Sequence, residues 1–447
     1  TISGGVNTPS GSLDFGNTQK ATLTLVKTIT TDNGGTAVAT DWTLSASGPT
    51  PISGATGSGA VTGASVNAGT YDFSESGPAG YTASAWVCTG TGTQNDDDTV
   101  TLAAGQSATC TIHNDDVAPT ITLIKTVIND NGGDALPDDF DLTVGGAGVL
   151  SGATTPVSAN TSIALDETLV DGYAFVSLIG AGCPATLGGT VTLNEGEDIT
   201  CTITNDDVAP TLTLVKTVIN DNGGTKEVAD FPLFVNGSPV ASGVATTTTA
   251  NLLLTSTETG ATGYAASVWG GNCASDGTIT LLPGDNKTCT ITNDDVSPIL
   301  TIVKDADPND LTDFSFNGTG IIGSFQLDDD QGVYLGDDTL LATTTFSNLL
   351  AGQNYTVTET IPNSFWTFVG ANCVVTGTGT PYPFATSTNS VTVNLGLADD
   401  VTCTFTNEKE SPTRTQGFWQ THTQYTTTVF NSAPLSGSMF IGDGGLH

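Results

Sequence analysis

Three residue types recur four times in this chain at spacings that bring them onto one kind of surface. Side chains alternate along a β-strand, so residues two apart share a face. By that rule Lys27 lies in phase with Leu23 and Leu25, Lys125 with Ile121 and Leu123, Lys216 with Leu212 and Leu214, and Lys304 with Leu300 and Ile302. Asparagines follow the same rule: Asn114 after Cys110 and Ile112, Asn205 after Cys201 and Ile203, Asn293 after Cys289 and Ile291, Asn407 after Cys403 and Phe405. So do glutamates: Glu75 after Tyr71 and Phe73, Glu167 after Ile163 and Leu165, Glu258 after Leu252 and Leu254, with Ser256 between them, and Glu359 after Tyr355 and Val357. Six residues beyond each glutamate stands an aromatic, at Tyr81, Tyr173, Tyr264 and Phe365. A buried amine gives up its proton readily, a buried carboxyl keeps one, and a neutral amine beside a side-chain amide is placed to attack it. The product would be a Lys–Asn isopeptide bond with loss of ammonia, the glutamate moving the proton from nucleophile to leaving group. The plainer alternative is a buried Lys–Glu ion pair with the asparagine hydrogen-bonded beside it, which stabilises little after desolvation. Strand phase leaves both open.

Cysteines fall two to a copy: Cys88 with Cys110, Cys183 with Cys201, Cys273 with Cys289, and Cys373 with Cys403. An even count, one pair per copy, reads as four intradomain disulfides in a secreted chain, each closing a loop worth roughly 3 kcal/mol in the chain-entropy argument. A metal site is the rival, but there is no Cys-x-x-Cys and the only histidines are His113, His422 and His447.

The elements that must carry these residues form a repeat of about 90 residues. Each copy opens on a strand ending in the lysine. In three copies the strand runs into Asp-Asn-Gly-Gly, at Asp32, Asp130 and Asp221, whose glycines permit the positive φ of a tight turn; the fourth copy has Asp305 to Asp310 there. Each copy closes on the Cys-to-Asn strand, and three of these pass into Asp-Asp-Val-Ala/Ser-Pro, where proline ends one copy and the next begins. The boundaries are an N-terminal arm over 1–20, sandwiches over 21–117, 118–208, 209–296 and 297–408, and a segment over 409–447 holding Thr415-Gln-Gly-Phe-Trp-Gln-Thr-His422. Links this short leave little room for swivelling, which predicts a rod of domains.

With 54 Gly, 19 Pro and abundant Thr and Val, the composition disfavours helices and suits strands joined by turns, so the fold class is all-β. A net charge of −37 repels nucleic acid and anionic membranes, while 12% charged and 37% hydrophobic residues exclude a disordered acidic tail. No run of eighteen apolar residues is present, so no membrane span is expected. The chain opens on Thr1 with no apolar signal segment, which reads as a mature product. The junction pairs Asp115 and Asp116, Asp206 and Asp207, and Asp294 and Asp295 could gather round calcium where carboxylates and carbonyls meet; solvated acidic loops are the commoner arrangement, and no other cofactor is expected. The arm, with alternating Leu13 and Phe15, could add as a donor strand to a neighbouring sheet.

The order Leu-x-Leu/Val-x-Lys, then Tyr-x-Val-x-Glu-Thr with Gly-Tyr following, then Ile/Phe-x-Asn resembles the CnaB-type, SpaA-like prealbumin-fold domains of bacterial surface proteins and pilins. The resemblance covers all four copies. It implies Ig-like sandwiches in which Lys27–Asn114, Lys125–Asn205, Lys216–Asn293 and Lys304–Asn407 are joined by isopeptide bonds promoted by Glu75, Glu167, Glu258 and Glu359. The function expected is an extracellular, cell-surface structural protein, a stalk or filament subunit whose partners are copies of itself or other surface components. The alternative is an adhesin whose binding surface lies in the fourth copy, with its Asp328-to-Asp338 insertion and Pro381-Tyr-Pro-Phe384 loop, or at the termini. An enzyme acting on an outside substrate lacks a recurring Ser/His/Asp or metal cluster.

Overall fold

The structure is a computed structural model that describes residues 19–309, 311–329 and 340–410. The arm expected to donate a strand, apart from its last two residues, and the segment with His422 lie outside these. The described residues form strands joined by turns and short 3-10 turns such as Ala39–Asp41 and Pro137–Asp139. No helix among them is long and apolar enough to cross a membrane. By contact density the chain divides into two compact units: the first runs to Thr211 and includes Thr247–Leu252 and Thr280–Asn286, and the second holds the rest.

Among the described residues eight sheets pack as four two-sheet sandwiches. In the first, the opening strand Ala21–Thr30 lies parallel to the closing strand Ser107–Asp116, from Thr22 opposite Ser107 to Thr30 opposite Asp115. The second pairs Thr120–Ile128 with Asp198–Asp207 in the same parallel register, and the fourth pairs Ile299–Asp307 with Asp400–Lys409. In the third, Thr211–Ile219 neighbours Asn286–Asp295. First and last strands are thus adjacent in all four and co-directional in the first, second and fourth, which there requires the chain to enter a sandwich at one end and leave at the other.

The facing sheet of each sandwich carries the glutamate strand: Gly69–Ser76, Ser162–Glu167, Leu253–Glu258 and Asn354–Thr360. Alternation along these strands builds the core. In the first sandwich Leu23, Leu25, Cys110 and Ile112 meet Leu44, Tyr71, Phe73 and Val100, all nearly inaccessible to water. Burying each of the larger side chains contributes about 1.5–3 kcal/mol.

One strand-phase expectation fails in detail, and one spacing points to a neighbour. Leu252 is exposed because the third glutamate strand starts at Leu253, one residue after it; Leu254 and Ser256 are the inward residues, and the Ser256 hydroxyl sits 3.8 Å from the Cys273 sulfur. Phe365 is likewise exposed, and the buried Trp366 takes the place that Tyr81, Tyr173 and Tyr264 hold, because the fourth copy has one more residue between glutamate and aromatic. The register shows it: Tyr81 pairs with Asp116, and Trp366 with Lys409.

Candidate functional site

Every opening strand delivers its lysine side chain into the gap between sheets with none of it accessible. The lysine backbone is pinned on the strand's outer edge, where its N–H donates to the Thr56, Ser151 or Ser242 hydroxyl, or in the fourth sandwich to the Ala342 carbonyl. Across the gap the amine meets the glutamate: Lys27 Nζ to Glu75 Oε2 at 2.6 Å, Lys125 to Glu167 at 2.5 Å, Lys216 to Glu258 at 2.7 Å, and Lys304 to Glu359 Oε1 at 3.6 Å. The side chains of Glu167 and Glu359 are wholly enclosed, whereas those of Glu75 and Glu258 keep 12% and 8% exposure.

The asparagine comes from the parallel neighbour. Lys27 stands opposite Ile112 and Asn114 opposite Ile29, so amine and amide are offset by two residues along adjacent strands. Lys216 donates to Asn293 Oδ1, and Lys304 donates to Asn407 Oδ1 at 3.0 Å. In the first two sandwiches Asn114 Oδ1 and both amide atoms of Asn205 are buried with no hydrogen bond, as are Asn293 Nδ2 and Asn407 Nδ2. Leaving such an atom unpaired costs about 1–3 kcal/mol.

Burial pushes all four lysine amines below their ordinary range, against the opposing pull of their glutamates. In the fourth sandwich burial also raises the Glu359 carboxyl. Both shifts favour a neutral amine beside a neutral acid there.

A fourth participant was missed in the sequence. The ring of Trp42, Phe140, Phe231 or Phe314 lies over each Nζ, with 4.8, 4.0, 4.8 and 4.1 Å to the ring centre. Each ring is held edge-to-face by Tyr81, Tyr173, Tyr264 or Trp366. The signal was a recurring Asp-aromatic pair, Asp41-Trp42, Asp139-Phe140, Asp230-Phe231 and Asp313-Phe314. In the first three the aspartate accepts the N–H of the residue three before it and fixes the short turn that aims the ring.

The cysteines pair as Cys88–Cys110, Cys183–Cys201, Cys273–Cys289 and Cys373–Cys403. One partner of each is on the closing strand, which therefore touches the lysine strand on one side and a disulfide partner on the other. Of the junction aspartates, Asp116, Asp207 and Asp295 are buried and accept the turn N–H groups of the Asp-Asn-Gly-Gly segments: Asn33 and Gly35, Asn131 and Gly133, Asn222 and Gly224. Their carboxylates gather with those of Asp32 and Asp115, Asp130 and Asp206, and Asp221 and Asp294. The buried member of each pair thus has a task other than metal ligation.

Tandem two-sheet sandwiches with parallel first and last strands define the class as prealbumin-like. The chain belongs to the SpaA-type prealbumin-like fold domain family, which it matches over residues 18–112, 116–203, 207–291 and 300–409. No curated protein matches it in sequence. Among solved structures it is similar to the Bacillus anthracis TIE protein, at 12% identity, covering 90% of this chain and 75% of that one with a TM-score of 0.34. It is also similar to the pilus adhesin SpaC of Lactobacillus rhamnosus GG, at 12% identity over 84% of this chain and 57% of that one, TM-score 0.21. A third is the major pilin of Streptococcus pyogenes, at 14% identity over 46% of this chain and 100% of that one, TM-score 0.20.

Proposed function

We propose that this chain is an extracellular structural protein, a stalk or filament subunit of a cell surface, whose sandwiches are locked by Lys27–Asn114, Lys125–Asn205, Lys216–Asn293 and Lys304–Asn407 isopeptide bonds. The observation that carries the reading is the fourfold placement of an enclosed lysine and asparagine on the adjacent first and last strands, with a glutamate facing the lysine. The neutral amine adds to the asparagine Cγ, the glutamate carboxyl relays one proton from the amine to Nδ2, giving one up as it takes the other, and ammonia leaves. One C–N bond forms, one breaks, and no oxidant is needed. The aromatic ring keeps water from the amine. In the second and third sandwiches a groove beside the ring, lined by Leu142, Val149 and Ser151 or by Leu233, Val240 and Ser242, offers ammonia a way out.

The position of the bond explains its use. Tension enters at the start of the opening strand and leaves at the end of the closing strand. A link from Lys27 to Asn114 passes that tension straight across two neighbouring strands and leaves the rest of the sandwich out of the load path. Glu75, Glu167, Glu258 and Glu359 serve this single internal reaction and no outside substrate. The second reading, an adhesin, draws on the fourth sandwich alone, where Tyr382 donates to Asp399 and ties down a loop with no counterpart in the other three. Electron microscopy of cells labelled for this chain tests the choice. Stalks or continuous threads are expected, whereas label confined to tips of fibres made of another protein would overturn the structural reading in favour of the adhesin.

A further inference from the structure

The turns pinned by Asp116, Asp207 and Asp295 do more than reverse the chain. In the first unit the Asn33 carbonyl accepts the Ala159 N–H and the Gly34 carbonyl accepts from the Asn160 side chain. The linker residue Val117 bridges the same boundary, donating to the Gly80 carbonyl and accepting from the Gly196 N–H. The set repeats with Asn131 and Ala250, Gly132 and Asn251, and Val208 between Gly172 and Gly284. In the second unit it repeats with Asn222 and Ala351, and Val296 between Gly263 and Ala398. Glycine is required here by close approach: a Cβ on Gly34, Gly132 or Gly223 would stand 2.5, 2.5 or 2.7 Å from the carbonyl oxygen of Ala159, Ala250 or Ala351.

Each junction thus has a donor end and a receiving face. The donor end is the pinned turn with its two carbonyls and the glycine before the tyrosine. The receiving face is an Ala-Asn/Gly pair beside a turn after the next-to-last strand. The fourth sandwich has lost the pinned turn of the donor end: Asp305 to Asp310 replace the glycine turn, Phe365 replaces the glycine, its carbonyl still accepting the Glu410 N–H, and Lys409 replaces the buried aspartate. The first sandwich, by contrast, keeps a complete receiving face. Ala68-Gly69 matches Ala159-Asn160, Ala250-Asn251 and Ala351-Gly352. Its Ala103–Gln106 turn closes like the other three, the Gln106 N–H donating to the Ala103 carbonyl and the Gln106 side chain accepting the Ala103 N–H, as Glu197, Asp285 and Asp399 do. Ala68, Ala104 and Gly105 are exposed, where Ala159 and Ala250 are buried.

We propose that the face formed by Ala68-Gly69 and Ala103–Gln106 is a docking surface for the donor end of another sandwich of this type. Among the described residues this chain has no donor end to spare, since three are engaged and the fourth is dismantled. The occupant is therefore a sandwich whose buried aspartate pins an Asp-Asn-Gly-Gly turn, and it binds through backbone carbonyls presented to the Ala68 and Gly105 amides.

Amide hydrogen exchange on the full chain, and on a chain in which residues 1–298 are fused ahead of 22–447, tests this. In the full chain the Ala68 and Gly105 amides are expected to exchange freely while those of Ala159, Ala250 and Ala351 are slowed. In the fusion, the third donor end of the leading segment meets the first sandwich of the trailing one, whose Ala68 and Gly105 amides should slow by about tenfold or more. Gly223→Val in the leading segment should reverse that slowing and leave Ala159 protected. Unchanged exchange in the fusion overturns the proposal. So does slow exchange at Ala68 in the unfused chain, which would mean that its own arm already covers the face.

Discussion

Replacing Glu167 by Gln removes the proton carrier of the second sandwich without changing its shape, and the consequence is mechanical. With Lys125 bonded to Asn205, tension crosses between adjacent strands, and fewer than about ten residues of that sandwich remain free to extend, a change of a few ångströms. Without the bond, unfolding frees roughly 88 residues from Thr120 to Asp207, less those between Cys183 and Cys201, whose separation is 18. About 70 residues at about 3.5 Å each give about 245 Å, or about 210 Å after subtracting a folded span of one ten-residue strand. Single-molecule stretching should therefore show no step of this size in the native chain and one such step per molecule in Glu167→Gln. Reducing the disulfide should lengthen that step by about 60 Å. Breaking the pair also leaves Lys125 buried without its partner, so the variant sandwich should be less stable by about 3–5 kcal/mol. Steps of about 200 Å in the native chain would refute the load-path argument, because an unbonded sandwich has no other way to hold its strands against extension.

Other consequences follow from the same contacts. Phe140→Ala uncovers the Lys125 amine, so it should cost about 3–5 kcal/mol and leave part of the second sandwich unlinked in peptide maps; complete linkage would reduce the ring to packing. At Asp295 burial acts to raise the carboxyl, but the N–H groups of Gly224, Asn222 and Asp221 outweigh it and hold the group below the usual carboxylate range. Stability from such a depressed value is complete above the unfolded pKa of about 3.9 and is lost as pH falls through the folded one. The Asn222 and Gly224 amides should therefore lose protection only below about pH 4, and loss beginning near neutrality would contradict this. Since Asp116, Asp207 and Asp295 already accept turn N–H groups, melting in chelator and in millimolar calcium should agree within about a degree; a large rise with calcium would show that the aspartate clusters take a cation.

How much of this was legible depended on periodicity. The lysines, asparagines and most glutamates could be read because a strand's period of two places them unambiguously once the apolar neighbours are known. Position along a loop has no such period. The extra residue before Trp366 was therefore invisible, and the aromatic six residues beyond Glu359 is the exposed Phe365. Trp42, Phe140 and Phe231 escaped because each follows a short 3-10 turn, and Phe314 because it opens its strand, where strand phase has not begun, although the aspartate before each is a repeated signal. The role of Asp116 was hidden in an Asp-Asp pair whose members look alike in sequence but face opposite ways, one inward to the turn and one to solvent. The second glycine requirement of the Asp-Asn-Gly-Gly turns, close approach by the next sandwich, has no sequence period at all.

The central claim is chemical, and intact-mass measurement of the reduced, undigested chain tests it most directly. Each Lys–Asn bond lowers the mass by one ammonia, about 17 Da, so four bonds place the chain about 68 Da below its sequence mass, and each Glu→Gln variant should recover one ammonia's worth. A native mass equal to that of the sequence would contradict the account and leave four buried ion pairs in place of four cross-links.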